Sequence, residues 1–494
     1  MHRKMPIFYS ALLLTGVNLL LRMVSTSFQV YISGRIGAAG VGLLQLVMSV
    51  GMLAMTAGMA GIRTTAMYLC AEELGRGHPG NVTRMLSGCF LYSILCSGMI
   101  SLGLHFFAPA IARLWIGDIR TVGAIRLYGC FLPISCLCGV MTGYFTAANR
   151  IGTLAAVEVA EQLLSMAVTM TVLTLWAGTN PARACQSVIL GSGISSCLTL
   201  LLLVLLRLRE RSAPAPRLPV ARRLLDMAVP LALADDLKSG ISTAENLMVP
   251  KRLALYPGTA DPLAAFGLVS GMVFPVLMFP AAILFGLAEL LIPELARCAA
   301  AGSRIRIRYL VKRSLRVALL YGCCLCGLEF LLADNLCISL YKSREAGTYL
   351  KYFALLIPML YCDAITDAMT KGLGQQKACV RYNILTSFLD VVFLFLLLPR
   401  YGMGGYYFSF LITHVLNFML SLRRLLKLTG KVISIKEALL PLLATGCALW
   451  CASCLSSPVP RSAAFLLILG SLLVLLGVLG KEDIVWLRSL ALKK

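Results

Sequence analysis

Long apolar runs recur along the whole chain, separated by short connections rich in Arg, Gly and Pro. About fourteen can be traced, near residues 8–32, 41–69, 86–111, 124–147, 153–177, 186–208, 226–249, 264–290, 310–332, 348–370, 382–398, 404–427, 436–455 and 463–480. Runs of ~20 residues are long enough to cross a ~30 Å hydrocarbon core as helices. They lack the period-two alternation that a membrane β-barrel requires. The pattern therefore predicts an all-α polytopic membrane protein with about 14 transmembrane helices. The first run is too long for a signal-peptide core, has no small-residue cleavage site behind it and leads straight into another run, so it is expected to be retained.

The runs repeat. Shifting the sequence by 225 residues lays the second run on the eighth without a gap, with Gly42 on Gly267, Gly61 on Gly286, Ala71 on Ala296 and Gly77 on Gly302. The same shift relates the fourth run to the tenth, placing Pro133 on Pro358. The first and seventh runs align at 216, which brings Arg22 onto Lys238 and Arg35 onto Lys251. Two tandem six-helix units have parallel topology and a pseudo-twofold axis along the membrane normal, with two lobes flanking a central cavity. The expected division is an N-lobe over 1–208, a stiff Pro- and Arg-rich cytoplasmic linker over 209–225 and a C-lobe over 226–430. Residues 431–494 then hold two further helices and a short amphipathic tail, KEDIVWLRSLALKK, suited to the inner membrane surface.

Composition agrees: 59% of the 494 residues are hydrophobic and 14% charged, where a soluble domain has about 25% charged. Mean hydropathy is +0.84. The net charge of +23 needs a separate explanation, and topology supplies one. Lys and Arg gather in the even-numbered connections, above all in Arg207–Arg223 and Arg297–Arg316, which puts those loops and both termini in the cytoplasm by the positive-inside rule. Anionic membrane lipids are the partners such loops attract. Nucleic acid is not expected, because the cations are spread over many short loops. Most of the 18 cysteines lie inside apolar runs and read as small buried residues, Cys451 and Cys454 included.

Charges within the runs are the candidates for function. Arg22, Arg63 and Lys238 each interrupt an apolar stretch, at a cost of about 2.5–3.5 kcal/mol for a mid-membrane cation, and such residues usually face a bundle interior or a water-filled cavity. The repeat sets Arg22 and Lys238 at equivalent places, so that both would face the central axis, where two cations suit a diphosphate and Arg adds a bidentate donor fork. Each can instead pair within its lobe with Glu158, Glu161, Asp235 or Asp236. Arg63, which the repeat sets opposite Ala288, can also snorkel to the inner surface. Asp235, Asp236, Asn383, Thr386 and Asp390, with Asp363 and Asp367 nearby, could hold a coupling sodium ion or proton through oxygen ligands, or could be satisfied by Lys238 and Lys371. No further metal and no organic cofactor is indicated. An enzyme lacks its parts here: the histidines are His2, His78, His105 and His414, and no loop is large enough for a sugar-nucleotide domain.

RMVSTSFQVYISGRIGAAGVGLLQL, GIRTTAMYLCAEELGRG, ENLMVPKRL, KGLGQQK and PRYGMGGYYFS, in this order, resemble the sporulation-protein branch of the multidrug/oligosaccharidyl-lipid/polysaccharide (MOP) exporter superfamily. The resemblance spans nearly the whole chain. It implies a two-lobed, alternating-access transporter of the bacterial inner membrane that carries a lipid-linked saccharide from the inner to the outer leaflet, for cell wall, spore cortex or exopolysaccharide. Lipid II flippases share the fold and line a cavity with cations that engage a pyrophosphate. Cell-envelope glycosyltransferases would be partners, and coupling ions would sit in the second lobe. A cation-coupled multidrug exporter of the same superfamily is the alternative, though such exporters normally have twelve spans and opposing cations would repel cationic drugs. Two departures stand out. Relatives usually carry proline where Arg63 stands, and often arginine where Gln29 stands. Glu245 matches an acidic position of the family.

Overall fold

The computed structural model describes residues 7–75, 79–148, 150–177, 180–208, 220–430, 432, 434–455 and 457–478. Most of the expected linker (209–219) and the tail at 481–494 lie outside the described residues. The described residues form helices and no strand. In order these are α1 (Ile7–Met59), α2 (Ile62–Gly75), α3 (Pro79–Ala110), α4 (Val122–Ala147), α5 (Ile151–Val172), α6 (Pro181–Leu208), α7 (Val220–Leu253), α8 (Pro262–Gly267), α9 (Phe274–Met278), α10 (Ala281–Ala300), α11 (Arg304–Tyr341), α12 (Arg344–Ala354), α13 (Ile357–Gly372), α14 (Gln376–Tyr401), α15 (Met403–Thr429), α16 (Ile435–Ser453) and α17 (Pro458–Leu475).

Among the described residues ten helices are long and apolar enough to span a membrane, or up to twelve if each of two bent pairs is one span. The difference from about fourteen has a physical origin in two helices. Leu19–Leu74 counts once, although its backbone breaks at Gly37, where φ 69 and ψ 178 suit only glycine. This break falls in the SGRIGAAGVG connection and divides α1 into two arms. Helix α7 carries Arg222, Arg223, Asp226, Asp235, Asp236 and Lys238, and does not reach the hydropathy of a span.

The chain divides into two compact units, Met1–Gly271 with Leu394–Gly402, and Met272–Phe393 with Met403–Lys494. In the first, α4 packs against α2, α3 and α6, and α7 lies along α1. Ile62, Met85, Tyr144, Phe145 and Leu203 form part of its buried core. Helix α1 ends at Ala60–Gly61, where Gly61 takes φ 70 and a Cβ would stand 2.7 Å from the Ala228 carbonyl oxygen. Arg223 of α7 donates to Glu72 at 2.6 Å and to buried Glu73 at 3.1 Å, and Asn81 also donates to Glu73, at 2.9 Å. These bonds satisfy a carboxylate that burial would otherwise penalise. In the second unit, α16 and α17 pack on α11, where Gly327 gives way to the ring of Phe465.

Candidate functional site

Within the first unit, the second arm of α1, the start of α2 and the middle of α7 enclose a cavity of about 600 Å³. Helical spacing accounts for one wall. Met48, Met52, Met55 and Met59 recur three or four residues apart and so share a face of α1. Arg63 extends the series four residues further, beyond the Ala60–Gly61 break. Helix α7 supplies Asp235, Lys238, Ser239, Ser242 and Asn246 on the other wall. Two bonds join the walls, from Thr56 Oγ1 to Ser239 Oγ at 3.2 Å and from Thr243 Oγ1 to the Ser49 carbonyl at 3.1 Å.

Arg63 and Lys238 are both exposed. Among the described residues neither has a carboxylate within ion-pair distance. Asp235 and Asp236, three and two residues from Lys238, make no ion pair with it there. The cavity thus presents two cations without an ion-pair partner among the described residues, the Asp235 carboxylate, a row of hydroxyls and a flexible, polarisable methionine face. Such a wall suits an anionic group joined to a bulky, partly apolar ligand.

A second cavity of about 320 Å³ shares Met48, Met55, Met59 and Arg63 with the first. Its remaining wall comes from α4, α5 and α6, including Tyr128, Phe131, Glu158, Glu161 and Ser196. Ser196 Oγ donates to Glu161 Oε1 at 3.0 Å. Arg63 therefore stands on a partition with Glu158 and Glu161 on one side and Lys238 with Asp235 on the other. The sequence offered the methionine series as a signal for this: continuing it past Gly61 arrives at Arg63.

Arg22 is half-buried on the first arm of α1 and lines neither cavity. Gln29 Nε2 donates to the Gly271 carbonyl at 3.2 Å, tying that arm to a π-helical turn at Leu268–Val273. Arg35 stacks over Tyr31 at 5.6 Å. Asp236 is half-buried, and its Oδ1 has no hydrogen-bond partner among the described residues. The repeat-related glycines Gly42 and Gly267 meet directly: a Cβ on Gly267 would lie 2.0 Å from the Ala38 carbonyl oxygen and 2.6 Å from the Gly42 nitrogen.

In the second unit, Asp390 Oδ1 accepts from Ser409 Oγ at 2.6 Å and Thr413 Oγ1 at 3.2 Å, hydroxyls one turn apart on α15. Thr386 instead donates to the carbonyls of Tyr382 and Asn383 on its own helix, at 2.9 and 3.2 Å. Asp363 accepts from Asn417 at 3.1 Å, and Asp367 pairs with Lys371 at 2.6 Å. Among the described residues no three His, Cys, Asp or Glu side chains cluster as metal ligands.

Residues 15–171 match the MatE family model. The chain is 23% identical over 416 residues to stage V sporulation protein B of Bacillus subtilis (strain 168), covering 81% of this chain and 79% of that protein. An inward-facing multidrug resistance MATE family transporter of the MOP superfamily superposes with TM-score 0.66 at 13% identity, covering 84% of this chain and 99% of that one. The lipid II flippase MurJ, in an inward closed conformation, superposes with TM-score 0.75 at 10% identity, covering 96% and 100% of the two chains. The fold is that of the MOP superfamily transporters. That fold agrees with the many apolar helices of a multi-pass membrane protein.

Proposed function

We propose that this protein carries a lipid-linked saccharide, borne on a polyprenyl diphosphate, from the inner to the outer leaflet of a bacterial cell membrane by alternating access. The observation that carries the reading is the pair of open cations, Arg63 and Lys238, facing one cavity of about 600 Å³. A diphosphate would give both cations charged hydrogen-bond acceptors, and the methionine face would accommodate the carrier's first apolar units. Both termini are assigned to the cytoplasm by the distribution of Lys and Arg. Residues 1–208 and 226–430 are taken as the two moving lobes. Arg22, aligned with Lys238 by the repeat, is assigned a place on the path of the headgroup. Asp390, with Asn383, Thr386, Asp235 and Asp236, is assigned to a coupling sodium ion or proton.

Purified protein in liposomes should move a labelled undecaprenyl-diphosphate saccharide between leaflets. Folded protein that leaves the label distributed as in protein-free liposomes would contradict the proposal. A sodium or proton gradient should change the rate, and Asp390→Asn should remove that response. The exporter alternative draws on Glu158 and Glu161 in the second cavity, since carboxylates attract organic cations. It requires gradient-driven efflux of a cationic dye, which the flippase should not support.

A further inference from the structure

We propose that an apolar groove between the second arm of α1, α3 and α7 holds the chain of a polyprenyl-type lipid, with its phosphate or diphosphate resting on Lys251 and Arg252. This is a site apart from the cavity of Arg63 and Lys238. It takes its orientation, and the class of lipid, from the flippase reading: α7 runs outward, so Lys251 and Arg252 lie at the outer interface and the groove runs inward from there.

Two cavities make up the groove. One, of about 570 Å³, lies between Val50, Leu53 and Ala57 of α1 and the Met99–Leu114 stretch. The other, of about 520 Å³, runs along α7 from Gly240 to Arg252. Leu53 and Trp115 belong to both, so the two are continuous. The first is lined by apolar side chains and glycine, and among the described residues no carboxylate lines either. From Met99 to Leu114 the helical rise of ~1.5 Å per residue gives about 22 Å. That exceeds half of a ~30 Å hydrocarbon core and so favours a long chain. The helix widens to a π-helical turn at Ile111–Ile116, ended by Gly117 at φ 85, and this places Leu114 and Trp115 in the groove wall. Tryptophan at a groove mouth fits the level of lipid headgroups.

The cations give the groove its polarity. Arg252 lies 3.1 Å over the ring of Phe395, and its Nε is buried with no hydrogen-bond partner among the described residues. Lys251 Nζ donates to the Leu114 carbonyl, at the edge of the apolar wall. A Lys–Arg pair at the outer end of a helix runs against the inward bias of positive charge, so topology does not account for it. Two cations above an apolar slot, with no acid in its lining among the described residues, match a phosphorylated lipid and would repel a cationic one.

Photo-crosslinking of the full-length protein in nanodiscs tests this, using diazirine-tailed probes in separate arms: undecaprenyl diphosphate, undecaprenol and phosphatidylglycerol, each with and without excess inorganic diphosphate. The diphosphate lipid should label the 99–115 segment about tenfold more than the other two probes, and inorganic diphosphate should lower that labelling no further than the undecaprenol level. Lys251→Gln with Arg252→Gln should remove that preference. Gly103→Trp should block labelling of the segment, since a side chain there enters the open groove. Equal labelling by all three probes, or a preference that survives the double substitution, would overturn the site and leave an ordinary lipid-facing surface. Displacement by inorganic diphosphate to below the undecaprenol level would overturn the lipid as its occupant. Flipping is read on the same protein. Labelling without flipping overturns the flippase reading alone, whereas flipping without labelling overturns the groove alone.

Discussion

In the second unit, Asp390, Asp363 and Asp367 each have a neighbour that meets them, through Ser409 and Thr413, Asn417 and Lys371 respectively. In the first unit Arg63 and Lys238 face a cavity and have no carboxylate within ion-pair distance among the described residues. Both sets carry the penalty of a charged group at membrane depth. One set is compensated inside the protein, and the other is left for something that enters. An intramembrane charge is therefore informative about cargo only when its neighbours are known.

That contrast can be broken by substitution. The largest effect is expected from Arg63→Ala combined with Lys238→Ala, which should slow flipping of a diphosphate lipid by about 100-fold or more, as charged hydrogen bonds contribute ~1.5–3 kcal/mol each. Arg63→Lys should recover part of the rate while insertion stays normal, and equal rates in all forms would place the cargo elsewhere. Next, Asp363→Ala should lower stability by about 1–3 kcal/mol, because Asn417 loses its acceptor. Thermal unfolding in detergent would show this, and the same variant should bind the diphosphate lipid as the parent does. If it lost binding without losing stability, the distinction between the two units would collapse. Gly267→Ala should cost about 1–3 kcal/mol by overpacking, since its Cβ would collide with the backbone of the first arm's successor at Ala38 and Gly42. The smallest effect belongs to Met52→Ala, expected to change the flipping rate about threefold or less, because a flexible methionine wall repacks. A larger loss would mean that the wall reads the cargo's shape.

The helices and their breaks were legible because they rest on local chemistry. Apolar length located each predicted run on helical segments, and the glycine-rich connection placed the Gly37 break. The alignment that sets Gly42 on Gly267 drew attention to two glycines that lie against each other in the first unit. The site was less legible. Aligning Arg22 with Lys238 compares positions along two helices, but it does not say which face each presents. Arg63, on α2, lines both cavities because it continues the face that Met48, Met55 and Met59 present on α1, a periodicity interrupted in sequence by Ala60 and Gly61. Likewise Asn383 and Thr386 lie near Asp390 in sequence, whereas its hydroxyl partners, Ser409 and Thr413, come from α15. Tertiary packing chose those partners, and no spacing within α14 encodes them.

The central claim is that Arg63 and Lys238 together receive an anionic lipid headgroup. Native mass spectrometry of the purified protein with undecaprenyl diphosphate measures it most directly. In a Lys251→Gln, Arg252→Gln background, which takes away the groove's own headgroup contacts, the protein should retain the lipid, and adding Arg63→Gln with Lys238→Gln should lose about tenfold or more of it while keeping its thermal stability. Equal retention by the two variants would contradict the account.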